Sequence, residues 1–200
     1  MKGIYAILDE NNYNFNDLDN IVFKMIKKNI TIFQIRIKSK FNKSHIVAIK
    51  KVKKICNNHK SKLILNDNIN IAKELNLDGI HIGLKDIDIS SARSFLGAKK
   101  IIGVSCYNDI KLSLFAEKYN ASYVSFGSLY NTSTKINATD LDESIFVAAK
   151  KMLKIPICLI GGINQDNIHY VINLNSDLIA ISKGLSSNDK LNYISKAYYE

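Results

Sequence analysis

Thr132-Ser133-Thr134-Lys135 sets three hydroxyls and an ammonium side by side, directly after the strand-like run Tyr123–Tyr130. Hydroxyls, backbone N–H groups and a lysine charge are the donors that a phosphate or diphosphate needs. A solvated Ser/Thr turn has the same composition, so the loop takes its meaning from its surroundings. In Thr31–Lys38, a strand places Ile32, Gln34, Arg36 and Lys38 on one face and Phe33, Ile35 and Ile37 on the other. Consecutive polar positions pointing into a filled core are costly unless they meet a polar or charged ligand. Asp67 ends the apolar run Leu63-Ile-Leu-Asn66, and Asp86 follows the run Gly79–Gly83 at a distance of three residues. Asp67 has two readings: a cap for a helix starting near Ile69, or a carboxylate that shares a divalent metal with Asp86. Magnesium takes one or two carboxylates, substrate phosphate oxygens and several waters, so this pair would suffice.

Five further residues fall on inward faces or at strand ends. His81 lies between the outward Ile80 and Ile82, and a single inward histidine reads first as a satisfied core residue. Ser105 shares the inner face of its strand, whereas Cys106 faces the helices and reads as packing. Gly161-Gly162 and Ser182 close two later strand-like runs. Backbone N–H groups at such places bind phosphate, although a double glycine also makes a plain tight turn.

These groups need a frame that gathers strand ends. Short apolar runs occur at Gly3–Leu8, Thr31–Lys38, Lys62–Asn66, Gly79–Gly83, Lys100–Cys106, Tyr123–Tyr130, Ile155–Gly161 and Leu178–Ser182. Amphipathic stretches fill the gaps at Asp17–Lys28, Lys43–His59, Ile69–Leu75, Ser90–Leu96, Asp109–Tyr119, Asp140–Leu153, Gln165–Leu174 and Lys190–Tyr198. Leu18, Ile21, Val22, Met25 and Ile26 show the helical three- and four-residue step. Strands that alternate with helices make a parallel sheet, because parallel neighbours need a crossover. About eight such units predict an α/β fold, a (β/α)8 barrel forming a single domain over residues 1–200. An open doubly wound sheet is the alternative, but no G-x-G-x-x-G follows the first strand.

Bulk properties narrow the class. The 200 residues are 46% hydrophobic and 23% charged, ordinary values for a globular domain. No stretch approaches the ~20 apolar residues of a membrane helix. The amino end has too short an apolar run for a signal peptide, so a cytoplasmic protein is expected. Cys56, Cys106 and Cys158 have neither disulfide nor zinc spacing. The net charge of +10 lies mostly on helix faces such as Lys50-Lys51-Val52-Lys53-Lys54, without the interleaved aromatics or motifs of a nucleic-acid binder. Expected partners are small anionic molecules, with no nucleic acid and no membrane. The sequence leaves open whether the chain forms a homo-oligomer.

In order along the chain stand Tyr5-Ala-Ile-Leu-Asp9, Gln34-Ile-Arg-Ile-Lys38, Asn66-Asp67, Asp78–Gly83 with Asp86, and Ile102-Gly-Val-Ser105. Tyr123–Gly127, Thr132–Lys135, Ile160-Gly-Gly-Ile163 and Ala180-Ile-Ser182 complete the set. Together these pieces resemble the thiamine phosphate synthase family, nearly from end to end. The resemblance implies a barrel that joins 4-amino-2-methyl-5-hydroxymethylpyrimidine diphosphate to 4-methyl-5-(2-phosphoethyl)thiazole, giving thiamine phosphate and diphosphate. It implies that Arg36, Lys38, Asn66, Ser105 and Lys135 hold the diphosphate, and that Asp67 and Asp86 bind Mg2+. It also implies Thr132 and Thr134 on the thiazole side, Gly162, Ile181 and Ser182 at the thiazole phosphate, and Gln34 and His81 near the pyrimidine. Diphosphate leaving a benzylic-type carbon beside an electron-rich aminopyrimidine can run through a carbocation, so no triad or acid–base dyad is required. The protein neutralises the departing charge and aligns the partners.

The match has gaps. Ser39 replaces the family's usual aspartate, Leu84 a common glutamine, and Ser128 and Asn131 two prolines. Two other functions compete. A thiazole tautomerase of the same superfamily is expected to carry a histidine two residues after Ser105, where Tyr107 stands. A non-catalytic sensor of thiamine precursors would bind ligand without magnesium-dependent turnover.

Overall fold

The computed structural model describes residues 1–83, 86–130 and 142–200. Its strands are β1 (Gly3–Asp9), β2 (Ile32–Arg36), β3 (Lys62–Asn66), β4 (Gly79–Ile82), β5 (Ile101–Tyr107), β6 (Tyr123–Phe126), β7 (Ile157–Ile160) and β8 (Leu178–Ile181). They pair in parallel, each with its sequence neighbours, and β8 closes onto β1. The described helices are α1 (Leu18–Ile26), α2 (Lys43–Asn58), α3 (Ile69–Glu74), α4 (Ile89–Leu96), α5 (Ile110–Lys118), α6 (Glu143–Met152), α7 (Ile168–Asn173) and α8 (Asn188–Tyr199). The expected (β/α)8 barrel is therefore the fold, and the open sheet is excluded.

The asparagine-rich composition has a structural use. Asn29, Asn76, Asn120 and Asn175 follow helices at positive φ, where glycine is the common choice. At three of these ends the next residue's N–H reaches back five residues: Ile30 to Met25, Leu77 to Ala72 and Ala121 to Ala116, at 2.9–3.2 Å. Helix starts use Asn42, Asn68, Asp88, Asp109, Asp142 and Ser187, whose side chains accept first-turn N–H groups. Ser187 is why α8 begins before Lys190, two residues earlier than periodicity alone suggests.

Two apolar regions hold the barrel. The larger lies between strands and helices and contains Phe33, Ile35, Ile37, Ile80, Ile82 and Cys106, as the alternation predicts. The smaller fills the barrel interior with Tyr5, Ile7, Ile32, Ile64, Tyr123, Cys158, Leu178 and Ala180. Polar side chains at the amino ends of the strands are structural. Arg93 donates to the carbonyls of Lys100 and Asn120 at 2.6 Å each. Asp78 and Asp177 accept the N–H groups of Leu63 and Ile157 at 2.9 Å. The other arginine, Arg36, ends β2 at the opposite face. Several strands stop earlier than expected, β2 at Arg36 rather than Lys38 and β6 at Phe126 rather than Tyr130. Beyond Phe126 the backbone is pressed against β7: a Cβ on Gly127 would sit 2.1 Å from the Ile160 carbonyl oxygen.

Candidate active site

Five charged groups, Asp9, Arg36, Lys38, Asp67 and Asp86, lie at or beyond the carboxyl ends of β1 to β4. Parallel register places Asp9 beside Arg36, and their side chains form an ion pair. Two residues beyond the end of β2, the Lys38 ammonium lies 2.5 Å from an Asp67 carboxylate oxygen. Asp67 has φ 60°, a left-handed conformation that aspartate tolerates better than most residues. It does not cap α3. Asn68 does, accepting the Ile71 N–H at 3.0 Å, so the helix-cap reading of Asp67 is replaced.

Asp86 folds back over its own turn and accepts the Gly83 N–H at 2.6 Å. Burial raises its pKa and the Gly83 N–H lowers it; the hydrogen-bonded Asp67 carboxylate beside it pushes it up further, so the net direction is upward. Excess negative charge at this corner suits a hard divalent cation. Among the described residues no third His, Cys, Asp or Glu joins the pair. Waters and substrate oxygens would complete the coordination, as magnesium prefers.

The barrel interior carries a chain of polar groups. Gln34 Nε2 donates to the Tyr5 hydroxyl at 2.7 Å, and the Tyr5 and Tyr123 hydroxyls lie 2.9 Å apart. The Tyr123 hydroxyl is 2.8 Å from His81 Nδ1, and His81 Nε2 is 2.8 Å from Ser105 Oγ. His81 is thus a partnered interior residue that touches Ser105. Asn66, 7% exposed, ends β3 beside it in register.

A cavity of about 380 Å³ opens at the mouth, next to the Asp9–Arg36 pair. Arg36, Ser128, Gly161, Gly162, Ile181, Ser182 and Lys190 are among its walls. Gly161 and Gly162 have φ of 114° and 64°, and a Cβ on Gly161 would lie 2.0 Å from Ser128 Oγ. The loop after β6 can approach β7 this closely only over glycine. Ser182 is held from β1's loop: Tyr13 donates its hydroxyl to the Ser182 carbonyl at 2.8 Å, and Asn12 Nδ2 donates to Ser182 Oγ at 3.2 Å.

Of the residues singled out from sequence, Lys38, Asp67 and Asp86 thus stand at one corner, Gln34, His81 and Ser105 on the interior chain, and Arg36, Gly162, Ile181 and Ser182 around the cavity. Thr132, Thr134 and Lys135 lie outside the described residues, as do Leu84 and Asn131. Sequence reasoning missed Asp9, Tyr5 and Tyr123 as parts of the site, and Asn12, Tyr13 and Lys190 as well. Tyr5, Ile7 and Asp9 share the inward parity of β1, a signal that was available. Lys190 had none, because α8 reaches the cavity only through the closed barrel.

A family model described as thiamine monophosphate synthase matches residues 4–185. The chain belongs to this family. It is 37% identical over 189 residues to thiamine-phosphate synthase from Pelagibacter ubique, covering 94% of this chain and 91% of that one. It is also 37% identical over 188 residues to the enzyme of that name from Clostridium acetobutylicum, covering 94% and 89%. Thiamine phosphate pyrophosphorylase from Pyrococcus furiosus superposes with a TM-score of 0.83, covering 97% of this chain and 94% of that one. At 24% identity that likeness speaks for the fold.

Two departures from the synthase family pattern have physical counterparts. Glu10 accepts the Lys38 N–H at 2.5 Å, the Ser39 N–H at 2.8 Å and the Ser39 hydroxyl at 2.6 Å. Burial pushes the Glu10 carboxyl up, but the hydrogen bonds from Ser39 and Lys38 outweigh it and hold it below its usual range. An aspartate at 39 would face this carboxylate, so serine suits a chain with Glu10. Ser128 is buried and donates to the Tyr130 carbonyl at 2.6 Å, a hydrogen-bonded turn where the family's proline would stiffen the chain.

Proposed function

We propose that the chain is a thiamine-phosphate synthase of one barrel domain. It joins 4-amino-2-methyl-5-hydroxymethylpyrimidine diphosphate to 4-methyl-5-(2-phosphoethyl)thiazole and releases diphosphate. The observation that carries this reading is the Asp67–Asp86 carboxylate pair beside Lys38, at the same barrel mouth as a cavity walled by Arg36 and the Gly161-Gly162 turn.

The residues divide by charge and position. Arg36 and Lys38 face the diphosphate with Asn66, Ser105 and Lys135, and offset the charge that grows as the C–O bond breaks. Asp67 and Asp86 would hold Mg2+, which when bound neutralises diphosphate oxygens and eases their departure. Gln34 and His81 flank the pyrimidine. Thr132 and Thr134 line the thiazole side. Backbone groups of Gly162, Ile181 and Ser182 take the thiazole phosphate, with the Lys190 ammonium as an added counter-charge. The thiazole nitrogen is itself the nucleophile, so alignment of the two rings is the protein's main remaining task.

A tautomerase is not favoured, because Tyr107 occupies the position of the histidine that such a reading expects. The partners of this reaction are small molecules, and the setting we propose is cytoplasmic. No helix among the described residues is long and apolar enough to cross a membrane. The test is incubation of purified protein with both phosphorylated precursors and magnesium. Thiamine phosphate should form; a folded protein that yields none refutes the reading, and precursor binding without turnover would make it a sensor.

A further inference from the structure

The interior chain from Gln34 to Ser105 has a direction. Its first group, the Gln34 amide nitrogen, can only donate, and it donates to Tyr5. A phenol has one proton to give. Having accepted from Gln34, Tyr5 gives its proton to its other partner, the Tyr123 oxygen at 2.9 Å. Tyr123 then gives its own proton to His81 Nδ1 at 2.8 Å. A ring that accepts at Nδ1 carries its proton on Nε2, and this N–H points at Ser105 Oγ, 2.8 Å away. The Ser105 oxygen is then an acceptor toward His81, and its hydroxyl proton is free to turn to the barrel mouth.

The opposite polarity fails at the tyrosine pair. If His81 donated from Nδ1 while Gln34 donates to Tyr5, one of the two phenols would accept from both sides and its proton would have no acceptor. Tyr5 and Tyr123 are 1% and 0% exposed, so water cannot take that proton. An imidazolium fails in the same way. Burial also keeps both phenols protonated, since it raises the Tyr5 and Tyr123 pKa above the ordinary tyrosine range.

We propose that Tyr5 and Tyr123 are positioning residues: they transmit the donor direction of the Gln34 amide to His81, fix its Nε2–H tautomer, and so present the Ser105 hydroxyl as a hydrogen-bond donor to the departing diphosphate. The last step rests on the synthase reading given above; the direction of the chain does not. Ser105 thereby stands ready as a donor where negative charge develops, with no reorientation needed at that moment. A serine hydrogen-bonded into His81 would instead offer the anion only its oxygen.

The experiment is nitrogen NMR on protein labelled at its four histidines, with His81 assigned by loss of its signals in His81→Gln. The expected result is a neutral His81 ring protonated on Nε2 at neutral pH. A ring protonated on Nδ1, or a doubly protonated one, overturns the proposal whatever the turnover. Tyr123→Phe should yield a mixture of both tautomers and lower kcat by roughly tenfold, with KM for the pyrimidine diphosphate changed less. Unchanged tautomer and unchanged kcat would remove the positioning role. Should Tyr123→Phe fold poorly, Gln34→Leu provides the same tautomer readout from the far end of the chain. An Nε2–H ring in a protein without synthase activity would leave the chain direction standing and refute the reaction assignment alone.

Discussion

Replacing Asp67 by asparagine separates a metal ligand from a structural carboxylate. Asparagine tolerates the φ of 60° at this position, so the backbone carries no new strain. The cap of α3 belongs to Asn68 and is untouched. What is lost is the ion pair with Lys38, whose side chains are 51% and 29% exposed. A pair in that environment contributes about 0–1 kcal/mol, and relief of the repulsion felt by Asp86 offsets part of it. For a chain of 200 residues, 1 kcal/mol moves the melting midpoint by about 2–4 °C. Magnesium, by contrast, loses one of two anionic ligands, and even outer partners of metal sites are worth about 10–100-fold in affinity. Initial rates over a magnesium titration, beside thermal melts of both proteins, make the assay. The expected outcome is half-saturating magnesium raised about 100-fold or more, with a melting shift of no more than about 4 °C. A melting loss above about 10 °C with an unchanged magnesium response would refute the reasoning, since Asp67 would then be structural.

Three further substitutions test other parts of the site. Gly103→Ala would set a methyl 2.1 Å from Tyr123 Cζ, on a ring pinned by Tyr5 and His81, so a loss of about 3 kcal/mol or more is expected in denaturant melts. Ser39→Asp places a second carboxylate against Glu10, and kcat/KM should fall several-fold; adding Glu10→Gln should restore most of it, and a double-mutant cycle measures the coupling. Lys190→Ala removes a cation from the cavity wall and should raise KM for the thiazole phosphate about tenfold, leaving KM for the pyrimidine diphosphate near its original value.

Alternation of apolar residues was enough to read the barrel and the faces of β2, β4 and β5, because a strand's period of two ties side-chain direction to position. Phe33 and Ile35 pack under helices while Gln34 meets Tyr5 inside, as that rule requires. Strand ends were less legible, since β2 and β6 stop where neighbouring strands and turns stop pairing with them. Asp67 and Asn68 are adjacent and both suit a helix cap, and only backbone geometry assigns the cap to Asn68. Asp9 and Lys190 escaped because they meet the site through barrel closure, by β1–β2 register and by the return of α8. Of the sequence features first noted, the Thr132–Lys135 loop depends most on the enzymatic tests, as it lies outside the described residues.

The most direct measurement follows both products in one reaction. Purified protein is mixed with the pyrimidine diphosphate, the thiazole phosphate and magnesium, and thiamine phosphate and free diphosphate are quantified over time. The account predicts that the two appear in equal amounts, that omitting the thiazole phosphate abolishes thiamine phosphate, and that chelating magnesium stops turnover. Folded protein that forms no thiamine phosphate under these conditions would contradict it.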